Sequence, residues 1–209
     1  MNLSTPPALH IIGDSISIHY GPYLQAMLVG VMTYSRKTAP DGSLDDTGAA
    51  NGGDSSMVLD YLRTLQPDRS FDILLINCGL HDIKRDITTH TVQVPLDQYE
   101  TNLREILAQA HRLAARTIWV RTTPVIDERH NQLNITFRRF EADVEAYNAA
   151  ADRIMQKRGI ALIDLFTFTR NLGPDVYADH VHFTPEVRTQ QAAFIAGHFY
   201  LLGRHARVL

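Results

Sequence analysis

Short apolar runs recur along the chain, and longer segments with helical spacing separate them. The clearest runs are ALHII (8–12), FDILLIN (71–77), RTIWVRTT (116–123) and IALIDLF (160–166). They are rich in Ile, Leu and Val without regular alternation, which is typical of strands buried on both faces of a sheet. We predict a strand at each run, and a further short strand near VGVMTYS (29–35).

The segments between these runs predict helices. The longest cover 96–115, 140–159 and 184–202, and shorter ones are expected over 16–28 and 55–65. Gly159 is a helix stop, and Thr184 with Pro185 forms a favourable helix start. Because strands alternate with helices, we predict an α/β fold with a parallel sheet that helices cover on both faces.

Composition indicates one ordinary globular domain spanning residues 1–209. The chain is 44% hydrophobic and 21% charged, with a net charge of −3 and no basic run, so nothing indicates a nucleic-acid partner. Its single cysteine, Cys78, excludes an intramolecular disulfide. No window approaches ~20 apolar residues. The N-terminus also lacks the basic region of a signal peptide, so we expect no membrane insertion and a cytoplasmic location.

Polar residues follow several predicted strands, at the sheet edge where such folds bind ligands. GDSIS (13–17) follows the first strand, CGLHD (78–82) follows FDILLIN, and YADHVHFTPE (177–186) lies after IALIDLF. The carboxyl ends of parallel strands share one edge. Serine, aspartate and histidine side chains are therefore expected to gather there.

This set could supply a nucleophile with its base. A serine hydroxyl needs a nearby base, and that base needs an orienting acceptor. Ser15 lies at a strand-to-helix turn, where free helix amides could stabilise an oxyanion. His182 can be the base, and Asp179, three residues earlier, can accept from its other ring nitrogen.

Other interpretations of these residues stay open. Asp14 and Ser15 could merely cap a helix, and Gly53 could merely form a turn. Acidic and histidine side chains near this edge could also bind a metal ion. They are His81, Asp82, Asp179, His180 and His182. No paired-histidine motif supports a metal, so we expect neither a metal nor another cofactor.

Four segments in order resemble the conserved blocks of the GDSL esterases, also called SGNH hydrolases. GDSIS resembles the first block, ANGGDSS (50–56) the second, INCGLHD (76–82) the third and ADHVHFTPE (178–186) the fifth. The resemblance covers nearly the whole chain. It implies a three-layer α/β/α sandwich with a five-stranded parallel sheet of flavodoxin-like order, and cofactor-free hydrolysis of esters.

The resemblance also implies roles for individual residues. Ser15 would be the nucleophile, with Asp179 and His182 completing the triad, and the Ser15 and Gly53 amides would donate into the oxyanion hole. His81 stands where the family has an asparagine donor, and a neutral imidazole keeps one N–H for that role. Supporting roles are expected for Asp14, Asn51 and Asp82.

We therefore expect a serine ester hydrolase that cleaves short acyl esters, with O-acetyl groups on carbohydrates as candidate substrates. Two alternatives remain: a catalytically impaired relative that binds carbohydrate or acts as a scaffold, and a metal-dependent hydrolase. The polar segment 124–140 could be a solvated loop, or it could line the site with Arg129, Arg138 and Arg139 facing an anionic or polar substrate. The oligomeric state is left open.

Overall fold

The computed structural model describes residues 5–44, 47–66, 71–134 and 136–205. Its strands are β1 (Ala8–Ile12), β2 (Thr33–Arg36), β3 (Phe71–Ile76), β4 (Arg85–Asp86), β5 (Ala114–Val120), β6 (Phe137–Arg138) and β7 (Ala161–Ile163). Five of them form a parallel sheet in the order β2-β1-β3-β5-β7, while β4 and β6 form a small antiparallel pair.

Helices cover both faces of this sheet. They are α1 (Ser15–Met27), α2 (Thr47–Ala50), α3 (Ser55–Thr64), α4 (Leu96–Leu113), α5 (Asp127–Leu133), α6 (Glu141–Arg158), α7 (Leu165–Arg170) and α8 (Pro185–His205). Helix α8 packs against α1 and α7, while α4 packs against α3 and α6. The strand order is flavodoxin-like, so the predicted three-layer α/β/α fold is confirmed. No helix in the described ranges is long and apolar enough to cross a membrane.

The central strand β3 and its neighbour β1 end side by side. Ile12, the last residue of β1, pairs with Ile76, the last residue of β3, and both are fully buried. The Asn77 amide donates to the Ile12 carbonyl at 2.9 Å, and the Asn77 side chain donates to Val120 at 2.9 Å. The segments that follow β1 and β3 therefore begin at one edge of the sheet.

Local capping shifts two predicted boundaries. The strand expected near 29–35 begins only at Thr33, because α1 ends at Met27 and a turn follows, closed by the Val31 amide on the Leu28 carbonyl. The strand expected over 160–166 ends at Ile163, because the Asp164 side chain accepts from the Thr167 amide and starts α7.

Candidate active site

Ser15 is the first residue of α1, directly after β1. Asp14 caps this helix, since its carboxylate accepts from the Ile16 amide at 2.9 Å. Burial raises the pKa of Asp14, while the hydrogen bond from Ile16 and the charge of Arg139 oppose the rise. Because Asp14 alone supplies the side-chain cap, the Ser15 hydroxyl is free for another partner.

That partner is His182, which lies 167 positions along the chain. The Ser15 Oγ is 2.8 Å from His182 Nε2, and His182 Nδ1 is 2.7 Å from the Asp179 carboxylate. A carboxylate only accepts, so it fixes the proton on Nδ1 and leaves Nε2 to accept from the serine. The structure thus brings the three predicted triad residues into one hydrogen-bonded chain.

Asp179 is held as an anion. Partial burial alone would raise the pKa of Asp179, but the backbone amides of His182 and Val181 and the His182 ring lower it to about 2. The two amides donate to one carboxylate oxygen at 2.7 and 2.8 Å, which leaves the other oxygen for the ring. The carboxylate is therefore ionised and oriented at neutral pH.

The acid–base loop, residues 176–184, carries both Asp179 and His182. Its two ends face each other: the Ala178 amide donates to the His182 carbonyl at 2.7 Å, and the Thr184 amide donates to Val176 at 3.0 Å. These bonds close the loop into a tight turn. The turn brings the side chains of Asp179 and His182, three residues apart, into contact.

Two further histidines lie beside the base. Sequence analysis placed His180 near His182 as a candidate metal ligand, but it did not indicate His19 as a neighbour. The His19 ring centroid lies 4.6 Å from that of His182, and the His180 centroid lies 6.1 Å away. Burial lowers the pKa of His19 to about 4, with the charges of His182 and Arg188 acting in the same direction. His19 follows Ser15 by one helical turn, and this i, i+4 spacing is the signal that could have identified it.

The glycine loop after α2 approaches the serine turn closely. The Gly52 amide donates to the Gly13 carbonyl at 2.8 Å, and Gly53 has a φ of +74°. The Gly53 N–H, predicted to serve the oxyanion hole, donates here to the Asn51 side chain at 2.8 Å. The role predicted for Gly53 therefore requires a bound oxyanion to share or take over this N–H.

The other two predicted donors are not engaged. Neither the Ser15 amide nor the His81 ring has a hydrogen-bond partner within the described parts of the chain. Burial lowers the pKa of His81 to about 3, and the charges of Lys84 and Arg139 act in the same direction. His81 is therefore neutral at physiological pH and keeps one ring N–H.

Asp82 connects the loop after β3 to the start of α3. Its buried carboxylate accepts from the Ser55 amide with both oxygens, at 2.9 and 3.1 Å. Burial raises the pKa of Asp82 to about 7, and the hydrogen bonds from Ser55 limit the rise. Since Ser55 follows Gly53 by two residues, this contact ties the loop bearing His81 to the glycine loop.

The described ranges contain no group of three or more His, Cys, Asp or Glu side chains placed to hold a metal ion. Asp179 and His182, two of the candidate ligands, hydrogen-bond to each other instead. Within the described residues, the five candidate ligands named from the sequence are therefore not arranged as a metal cluster.

Comparison with known proteins places the chain in a family. The model of the GDSL-like lipase/acylhydrolase family matches residues 11–187, a stretch that contains the serine turn and the acid–base loop. The chain belongs to the GDSL-like lipase/acylhydrolase family. No curated protein sequence matches it significantly.

Solved structures with the same fold include several GDSL-like or related hydrolases. A lipase/acylhydrolase from Enterococcus faecalis is 12% identical, with a TM-score of 0.65 over 92% of this chain and 94% of its own. An acetylxylan esterase from Geobacillus stearothermophilus is 14% identical, with a TM-score of 0.65 over 96% and 95%. The acetyl xylan esterase AlAXEase is 14% identical, with a TM-score of 0.67 over 90% and 97%. At these identities the likeness establishes the shared fold.

Proposed function

We propose that this GDSL-like hydrolase cleaves carboxylic esters through a covalent acyl-enzyme on Ser15. The observation that carries the proposal is the continuous contact from Ser15 Oγ through the His182 ring to the Asp179 carboxylate. A hydroxyl in this arrangement can lose its proton to the imidazole as it attacks an acyl carbon.

The proposed reaction has two matched halves. Ser15 Oγ attacks the acyl carbon while His182 Nε2 takes its proton, and the tetrahedral intermediate collapses as His182 returns that proton to the leaving alcohol. A water molecule then attacks the acyl-enzyme, with His182 acting first as base and then as acid. The Ser15 amide, the His81 ring and, once released from Asn51, the Gly53 amide would hold the oxyanion.

We further propose a short acyl group as the substrate, with O-acetyl groups on carbohydrates as candidates. Two of the structural neighbours are acetyl xylan esterases, which supports an acetyl group. The segment after β5 forms α5 and β6. Apart from Leu133, the exposed residues of α5 are polar, so this helix is not an apolar lid of the kind that would cover a long acyl chain.

A panel of p-nitrophenyl esters of rising chain length tests the proposal. We expect the highest kcat/KM at the acetyl or propionyl ester for the unmodified protein, and loss of turnover in Ser15→Ala. Full activity in Ser15→Ala would exclude the mechanism, and a maximum at long chains would exclude the acetyl preference. Inactivation by a chelator would favour the metal-dependent alternative, and no turnover of any ester would favour a binding or scaffolding role.

A further inference from the structure

The segment 124–140, expected either to be solvated or to face substrate, contacts the backbone of two site loops. Arg139 is buried, and its Nε donates to the Leu80 carbonyl, next to His81, at 2.6 Å. Arg129, on α5, donates to the acid–base loop. Among the described residues, the Arg138 side chain donates only locally, to the Asn134 carbonyl at 2.6 Å.

Arg129 donates hydrogen bonds to two backbone carbonyls of the acid–base loop. Its Nε donates to the Asp179 carbonyl at 2.7 Å, and its Nη2 donates to the Tyr177 carbonyl at 3.1 Å. The guanidinium also lies over the Tyr177 ring, 5.7 Å from its centroid. A planar guanidinium offers donors in a rigid fork, so it can fix two carbonyls at a set separation, which a lysine ammonium cannot do in the same way.

Burial alone does not fix the position of the acid on the acid–base loop. The Asp179 side chain is 48% exposed, and its own backbone carbonyl is one of the two groups that Arg129 holds. His182 reaches Ser15 across the boundary between this loop and α1. A small displacement of the loop relative to α1 would lengthen the 2.8 Å contact between base and nucleophile.

Arg129 acts through the backbone rather than through its charge. The groups that set the ionisation of Asp179 are the His182 and Val181 amides and the His182 ring, with partial burial working against them. A lysine ammonium, which lacks the paired donors of a guanidinium, should therefore not take over the role of Arg129. A free guanidinium ion should take over part of it.

We propose that Arg129 is a positioning residue that holds Asp179 and His182 in register with Ser15. This proposal rests on the proposed ester hydrolysis. Because misplacement of a catalytic group by about 1 Å can cost ~10²-fold in rate, we expect Arg129→Ala to lower kcat roughly 10- to 100-fold. KM for p-nitrophenyl acetate should change little, since Arg129 contacts the loop and not the acyl group.

The test compares Arg129→Ala, Arg129→Lys and the control Arg138→Ala, which removes a guanidinium from the same segment without touching the acid–base loop. We expect Arg138→Ala to keep the unmodified kcat and Arg129→Lys to be as impaired as Arg129→Ala. Guanidinium ion, at millimolar concentrations well below the denaturing range, should restore part of the kcat of Arg129→Ala. Ammonium ion should not.

Two outcomes would overturn the proposal: an unchanged kcat in Arg129→Ala, or full activity in Arg129→Lys. Thermal unfolding of each variant shows whether the protein is still folded. Rescue of kcat by guanidinium ion gives the same information independently, because it requires a folded protein. Ser15→Ala, assayed alongside, keeps the two ideas apart. Activity in Ser15→Ala would refute the ester-hydrolysis mechanism, whereas an inactive Ser15→Ala beside a fully active Arg129→Ala would refute only the role of Arg129.

Discussion

His81 should act as a neutral oxyanion donor, and substituting it tests this directly. Its ring stays uncharged because burial lowers its pKa to about 3, and within the described residues its nitrogens have no other partner. His81→Ala removes the N–H, while His81→Asn supplies the carboxamide that the resemblance to the GDSL esterases implies at this position. The two variants therefore differ in whether a donor is present.

The size of the effect follows from the number of donors. Of the three proposed oxyanion donors, the Gly53 amide is engaged by Asn51, whereas the Ser15 amide and the His81 ring are unengaged within the described residues. Loss of one oxyanion donor typically costs about 10²–10³ in kcat, or ~2.7–4 kcal/mol of transition-state stabilisation. We expect a fall of this size in His81→Ala, and a kcat within about 10-fold of the unmodified protein in His81→Asn.

Steady-state kinetics with p-nitrophenyl acetate from about pH 5 to pH 9 measure both variants. Because the pKa of His81 lies near 3, its titration falls outside this range, and the two active proteins should share the same profile shape. KM should change less than kcat, since the oxyanion forms only after attack. An unchanged kcat in His81→Ala would refute the assignment of His81 as a donor.

Three further predictions concern the acid, the glycine loop and stability. Asp179→Asn should lower kcat by about 10⁴-fold at neutral pH, because a side-chain carboxamide, unlike a carboxylate, does not hold the proton on the His182 Nδ1. A loss below tenfold would contradict the triad. Gly53→Ala should lower both activity and the free energy of unfolding, the latter by ~1–2 kcal/mol, because its φ is +74° and the new Cβ would overlap the Met57 side chain; an unchanged urea midpoint would argue against this strain. As pH falls from 6.5 toward 3, the unfolded state protonates His81 and the folded state does not, so the free energy of unfolding should drop by up to ~1.4 kcal/mol per pH unit from this group. His81→Asn should remove that component, and parallel urea-midpoint profiles for the two proteins would contradict the buried neutral ring.

The apolar pattern predicted the sheet because its inner strands β1 and β3 are buried along nearly their whole length. It failed where a polar residue decides a boundary. In IALIDLF the apolar residues nearest to Asp164, which are Ile163, Leu165 and Phe166, are all buried. The apolar pattern therefore continues across the position where the Asp164 side chain starts α7. Hydrophobicity alone does not register this change of backbone direction.

Within the site, the order of the sequence blocks was enough to predict that Ser15, Asp179 and His182 lie together. The contacts of Arg129 with the Asp179 carbonyl and of Asn51 with the Gly53 amide were not predictable in this way. The Asn51 contact spans two residues within one turn, a bond that asparagine commonly makes to its own backbone. Arg129 instead reaches a carbonyl 50 positions away, and the way α5 lies against the acid–base loop sets that partner.

Covalent labelling of Ser15 tests the central claim most directly. The protein is treated with a fluorophosphonate, digested, and its peptides are analysed by mass spectrometry, with His182→Ala run in parallel. We predict one adduct per chain on Ser15, and labelling slowed by orders of magnitude in His182→Ala because the serine has lost its base. An adduct on a different residue, or ester turnover by a protein whose Ser15 stays unlabelled, would contradict the proposed mechanism.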